Sequence, residues 1–266
     1  MLLCIDVGNT HTQFGVYDKG KLKRDYRVAS EVVRTEDEIG IVVLSLLEHD
    51  GIKSRNIDGV GISSVVPNLT GVLERMSEKY FGCDPLTIGM GLELGIRVEY
   101  DEPKGIGSDR LCVAAAGYRK YGGPLIILDF GTATTFDVVS VDGVYLGGAI
   151  APGVETAASD LQRRAAKLPR IELKFPDEVI GKTTITSMQS GIMFGAIEAM
   201  EGIVRRIKRA LQAEPKVVAT GGYAKIIAEK TEIIHHIEPA LVLDGIRLIY
   251  EANRNASNRK GTRSLR

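Results

Sequence analysis

With 266 residues, 44% of them hydrophobic and 26% charged, the chain is long enough to bury a substantial core and has the composition of an ordinary globular protein. Its 34 basic and 34 acidic residues cancel, so no global field argues for nucleic acid or a membrane surface. Cys4, Cys83 and Cys112 lack paired spacing, which argues against a disulfide framework or a zinc site and for reduced, mostly buried thiols.

The chain opens on an apolar run, Leu2 to Ile5, that ends at Asp6, with no basic leader before it and no later run long enough to span a bilayer. The expected location is the cytoplasm. Gly8, a cluster of small hydroxyl and amide residues, a β-rich run and an Asp18–Gly20 turn follow, predicting strand, tight turn, strand, turn, strand. Behind Thr35 and the acidic residues 36–38, the spacing of Ile39, Val42, Val43, Leu46 and Leu47 predicts a helix. A strand near Gly59 to Val66 is stopped by Pro67, and Leu69, Val72, Leu73, Met76 and Tyr80 trace a second helical stripe. The order β-β-β-α-β-α is that of a ribonuclease-H-like domain. After a Gly-rich loop, an apolar helix starts at Leu111.

From Leu125 the opening recurs. Laying "CIDVGNTHTQFGVYDKGKL" on "ILDFGTATTFDVVSVDGVYL" brings Asp6 onto Asp129, Gly8 onto Gly131 and Thr10 onto Ala133. Strands from Leu125 to Gly147, an irregular stretch from Pro152 to Thr186, a long helix from Met188 to Leu211 and a strand from Lys216 to Thr220 running into Gly221 and Gly222 complete the second half. The expected fold is therefore α/β, a duplicated ribonuclease-H-like pair with domains at 1–115 and 116–251 and a cleft between them. Residues 252–266 carry five basic residues, no acid and no helical pattern, and are expected to be a disordered tail.

A strand ending in Asp, then Gly, then small donors suits phosphate handling, because Gly lets the backbone approach closely and Asn9, Thr10, Thr12 and Thr132 donate without bulk. An Asp beside such a loop suits Mg²⁺, which takes few carboxylates plus water and phosphate oxygens. One such loop is equally a plain hairpin; two of them, with a later Gly pair, favour a bipartite nucleotide clamp. "GKT" at Gly181 lacks the upstream Gly of a P-loop, and no dinucleotide fingerprint follows a strand. In "GIGSDR", Gly105 to Arg110, a carboxylate could accept a substrate alcohol's proton and a guanidinium could grip a carboxylate; an Asp cap with a structural salt bridge would also account for it. Gly191 and Gly195 are spaced for close approach of a partner helix or for ordinary core packing. His235 and His236 point different ways on a regular element and receive no metal role.

The loops resemble those of the actin, hexokinase and Hsp70 ATPase superfamily, the actin-like ATPase fold. With "GSDR", "DFGTATTFD", "GGAIAPG", "AAKLPRIEL" and "IGKTTITSMQSG" in order from Asp6 to about Gly222, the chain resembles type III pantothenate kinases. The resemblance implies ATP-dependent phosphorylation of pantothenate's primary hydroxyl, the first step toward coenzyme A. It implies that Asp6, Val7, Gly8, Asn9, Thr10, His11, Thr12 and Gln13 form the first phosphate loop, with Asp6 serving Mg²⁺ directly or through water, and that Thr132 touches ATP from the second. It implies Asp109 as proton acceptor, and Tyr100, Gly107, Ser108, Asp109, Arg110 and Thr184 around pantothenate. It further implies Asp129 as holder of a monovalent cation, K⁺ or NH₄⁺, and a homodimer in which Thr184 reaches the neighbouring subunit's substrate. Other small-molecule kinases, an ATP-driven switch and a gene-expression accessory factor using the basic tail are the competing readings.

Overall fold

The computed structural model describes the backbone of residues 1–263 and the side chains of residues 1–254. It divides into two units. The first comprises Met1–Arg97, Asp101–Arg119 and the chain from Leu241; the second comprises Val98–Tyr100 and Lys120–Ala240.

In the first unit β1 (Leu2–Val7), β2 (His11–Asp18) and β3 (Lys21–Ala29) form an antiparallel meander, and β4 (Gly59–Ser64) and β5 (Leu86–Thr87) extend it in parallel, giving the order β3-β2-β1-β4-β5. Helix α1 (Glu36–His49) begins where its sequence says it should: the Thr35 hydroxyl accepts from the Glu38 N–H, and the Glu38 carboxylate accepts from the Thr35 N–H at 2.8 Å. Pro67, expected to stop a strand, also opens α2 (Pro67–Phe81), since the first helical turn has no use for its missing N–H. One sheet face, with Leu3, Ile5, Val7, Phe14 and Val16, buries against Ile39, Val43 and Leu47 of α1 and Leu69, Leu73 and Met76 of α2. A third helix, α3 (Ser108–Tyr121), starts three residues earlier than its apolar pattern, so Asp109 and Arg110 stand in its first turn.

The second unit repeats the plan. With β6 (Arg97–Val98) at its edge, β7 (Leu125–Phe130), β8 (Ala133–Val139) and β9 (Val144–Pro152) form the meander, and β10 (Lys216–Thr220) and β11 (His236–Ile237) extend it in the order β11-β10-β7-β8-β9-β6. Both meanders carry a register irregularity at the same place: between Val16 and Tyr17 in one, between Val138 and Val139 in the other. Ile5 pairs with Phe14 as Leu128 pairs with Phe136. The copies differ in the turn, for Asp6 faces Gln13 seven positions on while Asp129 faces Thr135 six positions on.

Three expectations change. The stretch expected to be irregular from Pro152 to Thr186 contains α4 (Val154–Arg164), where Val154, Ala157, Ala158 and Leu161 recur at helical spacing although only Val154 is fully buried. Helix α5 (Thr184–Leu211) starts at Thr184 behind a Thr183 capping box, and the short α6 (Ala224–Ala228) follows β10. The last helix, α7 (Leu241–Arg263), belongs to the first unit rather than to the half it follows in sequence. It packs on β1 and β4, where Gly61 leaves room for Ile246: a Cβ there would sit 2.8 Å from Ile246 Cγ2. Anchored by buried Leu241, Leu243, Ile246 and Ile249, the helix propagates to Arg263, through most of the stretch expected to be a disordered tail, because each residue added to a formed helix brings its own hydrogen bond. Residues 264–266 of that stretch lie outside the described residues. Among the described residues no helix is long and apolar enough to cross a membrane.

Candidate active site

Strand alternation sends Leu3, Ile5 and Val7 into the α1/α2 core and turns Asp6 to the opposite face. There the parallel register sets Ser63 of β4 beside it, and the Ser63 hydroxyl donates to Asp6 Oδ1 at 3.1 Å. Ser63 also lies 3.0 Å from the hydroxyl of Ser108, the first residue of α3, which accepts from the Ser64 N–H at 2.8 Å. Ser63 and Ser108 are both buried. The sequence did not single out Ser63; its only signal was a pair of hydroxyl residues closing an otherwise apolar strand.

The loop before α3 brings Gly107, Ser108, Asp109 and Arg110 together. A side chain at Gly107 would place its Cβ 2.3 Å from Asp109 Oδ1, so the carboxyl folds back over a position only glycine leaves open. Asp109 Oδ1 accepts from the Arg110 N–H at 2.8 Å. Burial raises the Asp109 pKa above the ordinary carboxylate value, partly countered by that N–H and by the charge of Arg110. Such a carboxyl is a better proton acceptor than an exposed one.

The first turn is closed by the Gly8 N–H donating to the His11 carbonyl at 3.0 Å, with Asn9 and Thr10 exposed at its tip. Val7 is core. Thr12 is buried on the α1/α2 side, its hydroxyl 2.8 Å from that of Ser30, so it stands away from Asp6; Gln13, on the Asp6 face, donates from Nε2 to Asp25 at 3.3 Å. His11 heads β2 as a half-buried residue.

In the second unit Asp129 is the penultimate residue of β7, between Thr135 and Thr220. Gly221, at φ +89°, lies so close that a Cβ would be 2.4 Å from Asp129 Oδ1. The Thr132 carbonyl accepts from the Gly153 N–H at 3.1 Å and from the Thr156 hydroxyl at 2.6 Å, so the start of α4 holds this turn. Tyr100 rests over Gly147 with its ring centroid 6.3 Å from that of Tyr145, whose hydroxyl donates to buried Asp137 at 2.8 Å. Tyr100 and Thr184 thus belong to the second unit, and residues 107–110 to the first.

Thr184 also borders an open groove of about 1030 Å³ between α4, residues 181–184 and α5, lined by Leu161, Met188, Ile192, Gly191 and Gly195. A Cβ on Gly191 or Gly195 would meet nothing of this chain within 4 Å, so internal packing does not require glycine there.

Among the described residues no three His, Cys, Asp or Glu side chains gather as a metal cage. The Asp6 carboxylate and the serine hydroxyls beside it offer oxygens, the donor type Mg²⁺ takes when water and phosphate complete its shell, and the residues fit it, with the buried Cys112 thiol hydrogen-bonded to Ser63 behind them. Around Asp129 the carboxylate and the space kept by Gly221 equally offer only oxygen donors to a cation. His235 is structural, its Nδ1 accepting from the Val217 N–H at 2.8 Å, and His236 stacks on Tyr121 at 4.4 Å. Cys4 and Cys112 are buried free thiols that burial holds well above their ordinary pKa.

A family model described as type III pantothenate kinase matches residues 2–206. Among solved structures, a Baf family transcriptional activator from Campylobacter jejuni is similar at 19% identity, with 95% of this chain and 99% of that chain covered and a TM-score of 0.60. The activator of the 2-hydroxyisocaproyl-CoA dehydratase from Clostridium difficile, with bound ADPNP, is similar at 15% identity, with 98% and 97% covered and a TM-score of 0.58. At these identities the likeness is one of fold alone.

Proposed function

The chain belongs to the type III pantothenate kinase family, which uses ATP to phosphorylate pantothenate in coenzyme A biosynthesis, and from that premise we propose how its residues share the reaction. Asp109 accepts the proton of pantothenate's primary hydroxyl as the γ-phosphoryl group is transferred to that oxygen. Arg110 grips the substrate's carboxylate through parallel hydrogen bonds, with Gly107 and Ser108 beside it, and Tyr100 serves as a further pantothenate-binding residue. The backbone and small side chains of residues 6–13 cradle phosphates, with Thr132 serving ATP from the second turn. Thr12 contributes through its backbone, since its hydroxyl is engaged with Ser30.

Asp6 would hold Mg²⁺, directly or through water, and Asp129 a monovalent cation, K⁺ or NH₄⁺. When bound, these ions supply neutralisation of phosphate charge, the effect that dominates a loose phosphoryl-transfer transition state. The observation that carries the reading is Asp109: a desolvated carboxyl folded over Gly107 beside an arginine.

The functional form is a homodimer in the cytoplasm. The groove along α5, with glycines exposed where nothing of their own chain approaches, supports a partner helix there and Thr184 reaching the partner's substrate. Three free cysteines suit a reducing compartment.

The deciding experiment is ATP-dependent phosphorylation of pantothenate with Mg²⁺ in matched K⁺ and Na⁺ buffers, read by mass spectrometry. A phosphopantothenate product that depends on K⁺ is expected. Equal product in both buffers would remove the cation from Asp129, and no product with ATP binding intact would overturn the pantothenate reading.

A further inference from the structure

Ser63 lies outside every loop that the sequence marks for chemistry, yet it is fully buried between Asp6 and Ser108. We propose that Ser63 is a positioning residue whose hydroxyl orients the Asp6 carboxylate and links it to Ser108 of the substrate loop. The proposal rests on the reading of Asp6 as the Mg²⁺ residue.

The direction of the chain follows from hydroxyl valence. Each hydroxyl has one proton to give, and an ionised carboxylate only accepts. Ser63 therefore commits its proton to Asp6 Oδ1 at 3.1 Å. A hydrogen bond across the 3.0 Å contact between the two serines then uses the Ser108 proton, and Ser108 in turn accepts from the Ser64 N–H at 2.8 Å. The polarity runs from a strand-end N–H through Ser108 and Ser63 to Asp6. A bond to a carboxylate is charge-assisted, and donors in series strengthen one another where water is excluded.

Ser108 has a second acceptor, the Ser64 carbonyl at 3.1 Å. Its proton is thus shared between Ser63 and the backbone of the same strand. All members lie within the first unit, on β1, β4 and α3. Groups that orient a metal-binding carboxylate carry effects on the scale of the ligand itself.

The test uses the full chain, with Ser63→Ala, Asp6→Asn and the double variant, measuring ATP affinity by titration calorimetry with and without Mg²⁺ alongside steady-state kinetics. Ser63→Ala should weaken Mg²⁺-dependent ATP binding about 10- to 100-fold and lower kcat, with metal-free binding and the pantothenate KM within about twofold of wild type. In the Asp6→Asn background it should add nothing, because its effect passes through that carboxylate. Ser63→Thr, which keeps the hydroxyl, should recover Mg²⁺-dependent binding.

A Ser63→Ala protein with undiminished Mg²⁺-dependent binding, or one whose loss adds in full to that of Asp6→Asn, overturns the proposal and leaves the role of Asp6 standing. Unimpaired Mg²⁺-dependent binding in Asp6→Asn overturns the Asp6 reading and the proposal with it. If Ser63→Ala does not fold, Ser108→Ala reads the same chain one link away: a shift in Mg²⁺-dependent ATP binding supports it, and a change confined to the pantothenate KM sinks it.

Discussion

The turns that carry Asp6 and Asp129 occupy the same place in two copies of one sheet, and the strand beside each makes them different. Next to Asp6, β4 supplies Ser63 and then Ser64; next to Asp129, β10 supplies Thr220 and then Gly221. Asp6 is met by the Ser63 hydroxyl, whereas beside Asp129 stands Gly221, where a side chain would strike the Asp129 Oδ1. A repeated fold therefore repeats the position of a carboxylate, and the adjacent strand sets its chemistry. In the proposed division of labour, the carboxylate braced by Ser63 serves the small, strongly hydrated divalent ion and the carboxylate beside Gly221 serves the larger monovalent ion.

The largest expected effect comes from the group that stands with the first turn. Asp109→Asn should lower kcat by roughly 10²- to 10⁴-fold while ATP still binds; full activity would remove the base from that unit and break the contrast. Next comes an ion exchange. Replacing K⁺ by Na⁺ should cost the wild type and Asp6→Asn about tenfold or more in activity and leave Asp129→Asn nearly indifferent, on the scale of a lost metal partner. If both variants keep the K⁺ response, the cation is not at Asp129.

Smaller effects test the geometry itself. Gly221→Ala, which needs φ +89° and a Cβ 2.4 Å from Asp129, should cost about 1 kcal/mol or more and drop Tm by roughly 3 °C or more. Gly131→Ala, whose Cβ would meet its nearest neighbour at 3.6 Å, should stay within about 0.5 kcal/mol. Equal losses in thermal melts would show that the space above Asp129 is not special.

The smallest effect is on pH dependence. Because burial raises the Asp109 pKa in the folded chain, the native state holds that proton more tightly than the unfolded chain does. Its contribution to stability is then greatest below the ordinary carboxylate pKa and falls as pH rises through the native value. Asp109→Asn should accordingly raise Tm slightly at neutral pH and flatten that part of the profile; a lower Tm at neutral pH would contradict the desolvation.

Much of this was legible in the chain. The stripe from Ile39 to Leu47 behind Thr35 gave α1 because helical spacing and capping are written within a few residues of one another. The two "D-x-G" turns gave the duplicated run of three strands, because a hairpin is written within a few residues of its own turn. The start of α3 was misplaced by three residues, since Ser108 to Arg110 are polar and add nothing to an apolar pattern. The fourth helix was missed although Val154, Ala157, Ala158 and Leu161 keep helical spacing, a short stripe built half from alanine that carries little apolar signal.

By itself the sequence determined the types of most elements, the repeated sheet, the family and which residues carry charge or donors at the turns, all properties of residues close along the chain. Only the tertiary structure decided that α7 closes the first unit and that Ser63 stands between Asp6 and Ser108, partners separated by 57 and 45 residues. Pairing at such distances is set by which strands and helices bury one another, and no local period encodes it.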